Sequence, residues 1–330
     1  MKKQFVLGAL ATILVTTAAP LFSQDKGKIA FSQSNFGNEW WETQAKGAEA
    51  EIAKLGYEPT VISAKGDPVT QNGQVRTFIT QEFGAVMLNP TAPQGLEGSI
   101  AALKEAGIPL VTVNSPLSED LLKDVYCYVS DDQVSNAAQV GAEMARVLLA
   151  KHGSDATIKY LLVAGFPGDL NALQREEGWN KGYASVDGAP KLEVLETVYG
   201  QWMADPVIGP VRAVATANPD LAAVFVQTDS MMPGVETALK GAGIWDKVVI
   251  GGYDARMVVV EQMKDNPNGP IVATVANSPY EQGVVGAQMA EKALMGVPQS
   301  EACPGGKYIM EPVLVTPATA GAYFKADLPY

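Results

Sequence analysis

The feature that most constrains the fold is an alternation of short apolar runs with longer amphipathic stretches, and this alternation occurs twice along the chain. The apolar runs are residues 28–32, 60–63, 85–88 and 109–113 in the first half, and residues 158–163, 192–198, 222–226 and 248–250 in the second. Stretches with helical spacing stand between them, for example residues 40–55, 171–186, 206–217 and 233–241. Strands and helices in alternation predict parallel sheets covered on both faces. We therefore expect an α/β protein with two doubly wound, Rossmann-like lobes.

The two halves are most alike around their third predicted strands. Ala85–Leu88 precedes a helical stretch that ends in Ala106-Gly107-Ile108, and Ala223–Val226 precedes one that ends in Ala242-Gly243-Ile244. Ligands of open parallel sheets bind at the carboxyl ends of the strands. Two such lobes facing each other direct both sets of strand-end loops into one cleft, where we expect the ligand.

An export signal is predicted at the amino terminus. Lys2 and Lys3 precede the apolar run of residues 5–15, and Pro20 leads to Ser23-Gln24, which is the layout of a secretory signal peptide. We assign this peptide to residues 1–24 and expect the mature protein in the periplasm. No later apolar run approaches the roughly 20 residues that a membrane-spanning helix needs.

Length and charge narrow the class of protein. A chain of 330 residues is long enough for two lobes with separate cores. Its formal net charge of −12 disfavours nucleic acid and anionic membrane surfaces as partners. Apolar residues make up 47% and charged residues 18% of the chain, which excludes a mainly disordered protein. We expect a neutral or cationic ligand.

Two adjacent tryptophans follow the first predicted strand. Trp40 and Trp41 stand beside Asn35, Asn38 and Glu39. Indole rings cover the apolar C–H face of a polyhydroxylated ligand, while amide and acid side chains bond its hydroxyl groups. The alternative is that both tryptophans are core residues that open an amphipathic helix.

Signs of catalysis are scarce. The only histidine, His152, stands at the predicted end of a helix. The sequence has no nucleophile elbow, no phosphate-binding loop and no zinc-type spacing of His and Cys. Asp131-Asp132 is better explained as a cap for the helix from Gln133 than as a general acid and base. We expect no enzyme activity, no cofactor and no metal.

The two cysteines, Cys127 and Cys303, are candidates for a disulfide. In an oxidising compartment they can pair. The alternative is two buried free thiols, and their wide separation in sequence leaves both alternatives open.

Further candidate ligand-binding residues stand near the ends of predicted strands or, for Arg175, within the predicted helix of residues 171–186. Asn89 precedes Pro90, Arg175 opens the segment Arg-Glu-Glu-Gly-Trp, and Asp254 closes the segment Gly-Tyr-Asp. The complete candidate set is Ser34, Asn38, Trp40, Trp41, Asn89, Asn114, Arg175, Trp202, Thr228, Asp229, Asp254 and Asn277. Through these residues, nearly the whole mature chain resembles the type I periplasmic solute-binding proteins of sugar ABC importers, in the cluster of ribose- and galactose-binding proteins.

The resemblance implies roles for several of these side chains. It implies that the Arg175 guanidinium bonds ring and hydroxyl oxygens, and that tryptophans on the two lobes stack on opposite faces of a sugar. One departure stands out, because Asn114-Ser115 replaces the Asp-Arg that the family usually carries after this strand. A hydrogen bond to a charged group contributes about 1.5–3 kcal/mol, against about 1 for a neutral one. Thr228 also replaces a usual Asn, so the identity of the ligand does not carry over.

Some candidates have structural alternatives. Arg175 can be a charge on a helix surface, although its neighbours Glu176 and Glu177 do not face it. Asp254 can cap the helix that begins near Arg256. For four further candidates, the alternative to ligand contact is a role in shaping or packing their own loops. These are Asn89, Asp229, Asn277 and Trp202.

The resemblance also implies how the lobes are joined. The chain would cross between them near residues 130–131, 277–278 and 311–312. Residues 25–130 and 278–311 would form the N-terminal lobe, and residues 131–277 and 312–330 the C-terminal lobe. A ligand that contacts both lobes would favour their closure about this three-segment hinge, as in periplasmic binding proteins generally.

These expectations describe a monomeric receptor. It would bind a small neutral carbohydrate or polyol and deliver it to the membrane permease of an ABC transporter. The alternatives with the same fold are a receptor for a quorum-sensing furanose or a nucleoside, and a sensor linked to a chemoreceptor. A sugar-responsive repressor would need a DNA-binding headpiece where this chain has the expected signal peptide.

Overall fold

A computed structural model describes residues 26–92, 94–326 and 330. These residues form two six-stranded sheets with interleaved helices, and the predicted fold class is confirmed. The expected signal peptide, residues 1–24, lies outside the described residues.

The elements follow one another in the alternation expected from the sequence. The strands are β1 (Lys28–Gln33), β2 (Glu58–Ser63), β3 (Ala85–Leu88), β4 (Leu110–Val113), β5 (Cys127–Asp131), β6 (Thr157–Ala164), β7 (Lys191–Tyr199), β8 (Ala223–Val226), β9 (Val249–Gly251), β10 (Ile271–Val275), β11 (Lys307–Met310) and β12 (Leu314–Val315). The helices are α1 (Glu39–Lys54), α2 (Pro68–Thr80), α3 (Glu97–Glu105), α4 (Glu119–Leu122), α5 (Gln133–His152), α6 (Leu170–Ala184), α7 (Asp205–Ala217), α8 (Met232–Gly241), α9 (Met257–Asp265), α10 (Pro279–Leu294), α11 (Gln299–Ala302) and α12 (Pro317–Tyr323).

The two sheets have the same internal order. The first runs β11-β5-β4-β3-β1-β2 and the second runs β12-β10-β9-β8-β6-β7. The pairings are parallel except that of β10 with β12, which is antiparallel. Because parallel strands end at one edge of a sheet, the loops after β1, β3 and β4 lie together, and so do those after β6, β8 and β9.

Burial explains the composition of the central strands. All four residues of β3 and all four of β8 are buried, as expected for parallel strands covered by helices on both sides. Two apolar clusters flank each sheet. In the second sheet, Trp179 is fully buried and stacks on Tyr160, with ring centroids 4.5 Å apart.

A close approach between α5 and α6 fixes part of the cleft wall. A Cβ atom at Gly182 of α6 would lie 1.9 Å from the carbonyl oxygen of Ala138 on α5, so a larger residue does not fit there. The contact holds the first turn of α5, which begins at Gln133, beside the α6 residue Arg175.

The chain passes between the two sheets at three places. The first passage lies between β5 and α5, since α5 packs on β9 and β10. The second lies between β10 and α10, which packs on β3 and β4, and the third lies between β11 and β12. The lobe boundaries drawn from the sequence stay a prediction.

A disulfide joins Cys127 on β5 to Cys303, which directly precedes the segment leading into β11. The bond closes a chain segment with a sequence separation of 176 residues. Both residues lie in the apolar cluster of the first sheet, away from the cleft. Among the described residues, no helix has the length and apolar character to cross a membrane.

Candidate functional site

A cavity of about 310 Å³ lies between the two sets of strand-end loops. Its size falls in the range of small-molecule sites. The predicted residues that line it are Ser34, Asn38, Trp40, Trp41, Asn114, Arg175, Trp202, Thr228 and Asp254. The structure thus brings residues from both halves of the sequence to one site.

The first side of the cavity is built on the amino end of α1. Asn38 caps this helix, because its side-chain oxygen accepts a hydrogen bond from the Trp41 amide at 3.1 Å. The cap places both tryptophans in the first helical turn. Trp40 is only 6% exposed and its indole nitrogen donates to the Asn277 carbonyl at 3.3 Å, whereas Trp41 is half-buried and keeps more free surface.

Trp202 provides an aromatic face on the opposite side. It follows β7 with a φ of +63°, and its ring lies directly over Gly165, where an added Cβ would come within 2.1 Å of the indole. Only glycine leaves room for this ring position. The Asn38 side-chain amide donates to the Trp202 carbonyl at 3.1 Å, so the two sides of the cavity are in direct contact.

Arg175 is the centre of positive charge in the wall. It is 4% exposed, and its Nε donates to Gln133 Oε1 at 2.5 Å while a terminal nitrogen donates to the Gln227 carbonyl. The guanidinium lies 3.7 Å from the ring centroid of Tyr253 and 5.3 Å from that of Trp202. These contacts hold the group at the cavity, which excludes the alternative of a surface charge.

Asp254 lies beside this guanidinium, with 3.7 Å between Oδ1 and the nearest arginine nitrogen. The Thr228 hydroxyl donates to one carboxylate oxygen, and the Asn277 amide donates to the other at 3.1 Å. Burial raises the pKa of the Asp254 carboxyl to about 6, and Arg175 opposes the rise. Its side chain does not cap α9, because the residue before that helix is Arg256 and no side chain caps it.

Three predicted residues lie behind the cavity wall rather than on it. They are Asn89, Asp229 and Asn277, all buried. The Asn89 amide donates to Gln33 Oε1 at 2.7 Å, and its oxygen accepts from Asn114. Such contacts fix the orientation of side chains that face the cavity, so these three residues act on the site through their neighbours.

Asp229 shows how this support works. Its carboxylate accepts hydrogen bonds from the Tyr253 amide at 3.1 Å, the Arg256 amide at 3.0 Å and the Thr274 hydroxyl at 2.9 Å. Burial and then the neighbouring Asp254 carboxyl raise its pKa to about 8. Asp229 thus holds the loop that carries Asp254, which is the loop-shaping role given above as the alternative to ligand contact.

Sequence reasoning missed two polar wall residues at the start of α6. Asp169 caps this helix by accepting from the Ala172 amide at 3.0 Å, and burial raises the pKa of its carboxyl. Asn171 is buried, and its side-chain oxygen has no hydrogen-bond partner within the described residues. Both lie just after β6, as Asn35 and Asn38 lie just after β1, and this shared position is a signal that the sequence offered.

The described wall of the cavity carries more carboxyl groups than positively charged side chains. Of the wall residues that the structure describes, Asp169 and Asp254 carry carboxyl groups and Arg175 carries the only positive charge. The excess of acceptors favours a ligand that donates hydrogen bonds and disfavours an anion. In the part of the chain described, no group of three or more His, Cys, Asp or Glu side chains is placed to hold a metal ion.

Comparison with known proteins identifies the family. A model of the periplasmic binding protein domain family matches residues 29–297. The chain belongs to this family. The resemblance inferred from the sequence is thereby confirmed.

Individual relatives match over most of their length. The ribose import binding protein of Salmonella typhimurium is 27% identical over 296 residues, which cover 90% of this chain and 94% of that protein. The D-ribose/D-allose-binding protein of Pseudomonas aeruginosa is 26% identical, with 88% and 89% covered. A crystal structure of an ABC transporter solute-binding protein from Mycobacterium smegmatis with bound glycerol has a TM-score of 0.80 and 27% identity, and covers 91% of this chain and 98% of that one.

Proposed function

We propose that this protein is a periplasmic receptor of an ABC importer that binds a small neutral sugar or polyol in the cavity between its lobes. One observation carries the proposal. Indole rings from opposite sides, Trp41 and Trp202, border a cavity that also presents the Arg175 guanidinium and the Asp254 carboxylate. Such a site offers flat apolar faces to C–H groups, and a donor and an acceptor to hydroxyl groups.

The class of ligand follows from size, charge and relatives. A cavity of about 310 Å³ suits a single small ring. The acidic excess favours a neutral ligand rich in hydroxyl donors. Relatives named for ribose and allose support this class, as does the glycerol-bound structure from Mycobacterium smegmatis. Because Asn114 lines the wall where the family usually carries an acid, stacking contributes a larger share of the affinity here.

Closure about a hinge is part of the proposal. The chain passes between the two sheets after β5, after β10 and between β11 and β12, which supports the lobe boundaries expected near residues 130–131, 277–278 and 311–312. Hydrogen bonds already cross the cleft from Asn38 to Trp202 and from Arg256 to Glu39. A ligand held by both lobes stabilises the closed form, because it binds that form better than the open one. The closed receptor, a monomer, would then dock on the membrane permease.

A thermal-shift panel of pentoses, hexoses, polyols and nucleosides tests the proposed ligand class. A ligand at one hundred times its Kd raises the free energy of unfolding by about 2.7 kcal/mol. We expect at least one sugar or polyol to raise the unfolding temperature in a concentration-dependent way. Stabilisation by nucleosides alone, or by none of the carbohydrates, would overturn the proposal.

Trp41→Ala should weaken carbohydrate binding about tenfold, because aromatic stacking contributes roughly 1–2 kcal/mol including the buried area. Trp41 is a better test than Trp40, which is buried and bonds Asn277. Calorimetric titration measures the effect. Tyr308→Ala, at an exposed position on β11, serves as the control and should bind as the wild type does. An unchanged affinity in Trp41→Ala would assign that ring to packing alone.

Affinity should fall as the pH falls below about 6. The pKa of Asp254 is raised to about 6, so its carboxylate, the better acceptor for hydroxyl groups, is lost in this range. The loss reaches at most about tenfold in affinity per pH unit. The unbound protein responds in the opposite sense, because a raised carboxyl pKa means that the folded state gains stability as the pH falls through 6.

Titrations between pH 5 and pH 8 measure this dependence. Asp254→Asn is the control, since it removes the titrating group while keeping a side chain that can accept from Thr228. Its affinity should be lower at neutral pH and flat across the range. A wild-type affinity independent of pH would contradict the role assigned to the Asp254 carboxylate.

A further inference from the structure

Asp131 has an unusual place in the fold. It is the last residue of β5 in the first sheet and stands directly before the first passage to the second lobe. It is 5% exposed, and it does not line the cavity. Its carboxylate accepts hydrogen bonds from Gln133 Nε2 at 2.5 Å, from Asn136 Nδ2 at 2.8 Å and from the Tyr253 hydroxyl.

Two of these three donors are also the groups that hold Arg175. Gln133, which donates to Asp131, accepts from Arg175 Nε at 2.5 Å through the other end of its amide. Tyr253, which also donates to Asp131, lies with its ring 3.7 Å from the guanidinium. Asp131 therefore bonds both Gln133 and Tyr253, the two side chains that contact the Arg175 guanidinium. It makes no hydrogen bond to Arg175 itself.

The chemistry of these groups determines which way each hydrogen bond runs. An ionised carboxylate only accepts hydrogen bonds, so the Gln133 amide has to present its nitrogen to Asp131 and its oxygen to Arg175. The same requirement turns the Tyr253 hydroxyl proton toward Asp131, and this hydrogen bond anchors the hydroxyl end of the ring. Burial raises the pKa of Asp131, and the positive charge of Arg175 is the largest influence that lowers it again.

We propose that Asp131 is a positioning residue, which from the first interlobe passage fixes the orientation of the Arg175 guanidinium in the cleft through Gln133 and Tyr253. The inference rests on the proposed function, because it assigns Arg175 to ligand binding. The orientation of Arg175 itself does not depend on which ligand binds.

Asp131→Asn is the informative substitution. An asparagine amide keeps the size of the side chain, but it can donate to Gln133 Oε1 and so release the Gln133 amide from its single orientation. A Gln133 amide turned the other way points its NH₂ group at the guanidinium. Tyr253→Phe is a second variant that removes only the hydroxyl and keeps the ring, in case Asp131→Asn does not fold. Asp132→Asn is the matched control, because Asp132 is exposed and caps α5.

The first readout needs no ligand. The chain has five arginines, so side-chain Nε–H signals in a ¹⁵N spectrum are few, and Arg175→Lys assigns the one of interest. In the wild type and in Asp132→Asn, the Arg175 Nε–H should exchange slowly with water. In Asp131→Asn and Tyr253→Phe, that signal alone should shift and exchange faster. An Arg175 signal unchanged in both variants would overturn the proposal.

The second readout is a double-mutant cycle with D-ribose, D-allose and myo-inositol as probes. In the wild-type background, Asp131→Asn should weaken binding of a probe roughly fivefold or more, and in the Arg175→Lys background it should have little further effect. Equal factors in both backgrounds would show that Asp131 acts by general stability and would overturn the proposal. If no probe binds the wild type, the proposed ligand class fails instead, and the arginine spectrum still decides the positioning role.

Discussion

Arg175→Ala should weaken carbohydrate binding by roughly a hundredfold or more and lower the free energy of unfolding by roughly 3–5 kcal/mol. The guanidinium is buried 3.7 Å from Asp254 and supported by Gln133 and Tyr253. Its removal leaves the Asp254 carboxylate buried with no cation beside it, and removes the donor that we assign to ligand oxygens. Calorimetric titration and denaturant unfolding measure the two effects separately.

The control for this substitution is Arg146→Ala. Arg146 is an exposed residue of α5 that pairs with Glu143 three positions away, and such surface pairs contribute little. Its loss should change stability by about 0.5 kcal/mol or less and leave binding unchanged. An Arg175→Ala protein that binds sugars as tightly as the Arg146→Ala protein would remove Arg175 from the proposed site.

Loss of the disulfide should have the second large effect. Replacing Cys127 and Cys303 by alanine should lower the free energy of unfolding by about 5 kcal/mol, because the chain-entropy model assigns a large term to so long a closed segment. The bond joins β5 to the segment before β11, and β11 is the edge strand that pairs with β5 in the first sheet. Equilibrium unfolding in denaturant under non-reducing conditions measures the loss.

Binding should be nearly unaffected by this double replacement, since both cysteines lie in the core of the first lobe and neither borders the cavity. Reduced wild-type protein is the matched comparison and should lose a similar free energy of unfolding. If the replacement changed the unfolding free energy by less than about 1 kcal/mol, the bond would not constrain the unfolded chain as assumed.

The sequence predicts the central strands well, and the reason is physical. Ala85–Leu88 has the predicted bounds, because a parallel strand that is buried on both faces must be apolar at every position. The two-residue strand β12 was not predicted. It exists through its antiparallel pairing with β10, and a segment this short carries no periodicity of its own.

In the candidate site, the sequence indicates which residues lie near the cleft, whereas tertiary contacts decide which side chains face it. The sequence shows residues that lie at the cleft, such as Trp41 in the first turn of α1 and Arg175 in α6. The direction of a side chain at a strand end depends on its partners, so Asn89 turns into the lobe toward Gln33 although it follows β3. Asn171 was missed although it stands soon after β6, as Asn35 and Asn38 stand soon after β1, and its exposure at the cavity wall depends also on how α6 packs against α5.

A crystal structure of the protein with the sugar or polyol that stabilises it most is the decisive measurement for the proposed site. We expect a ring between Trp41 and Trp202, with hydroxyl oxygens within hydrogen-bond distance of Arg175 and Asp254. Density for the ligand outside this cavity, or a cavity that stays free of it at saturating concentration, would overturn the assignment of this cavity as the sugar site.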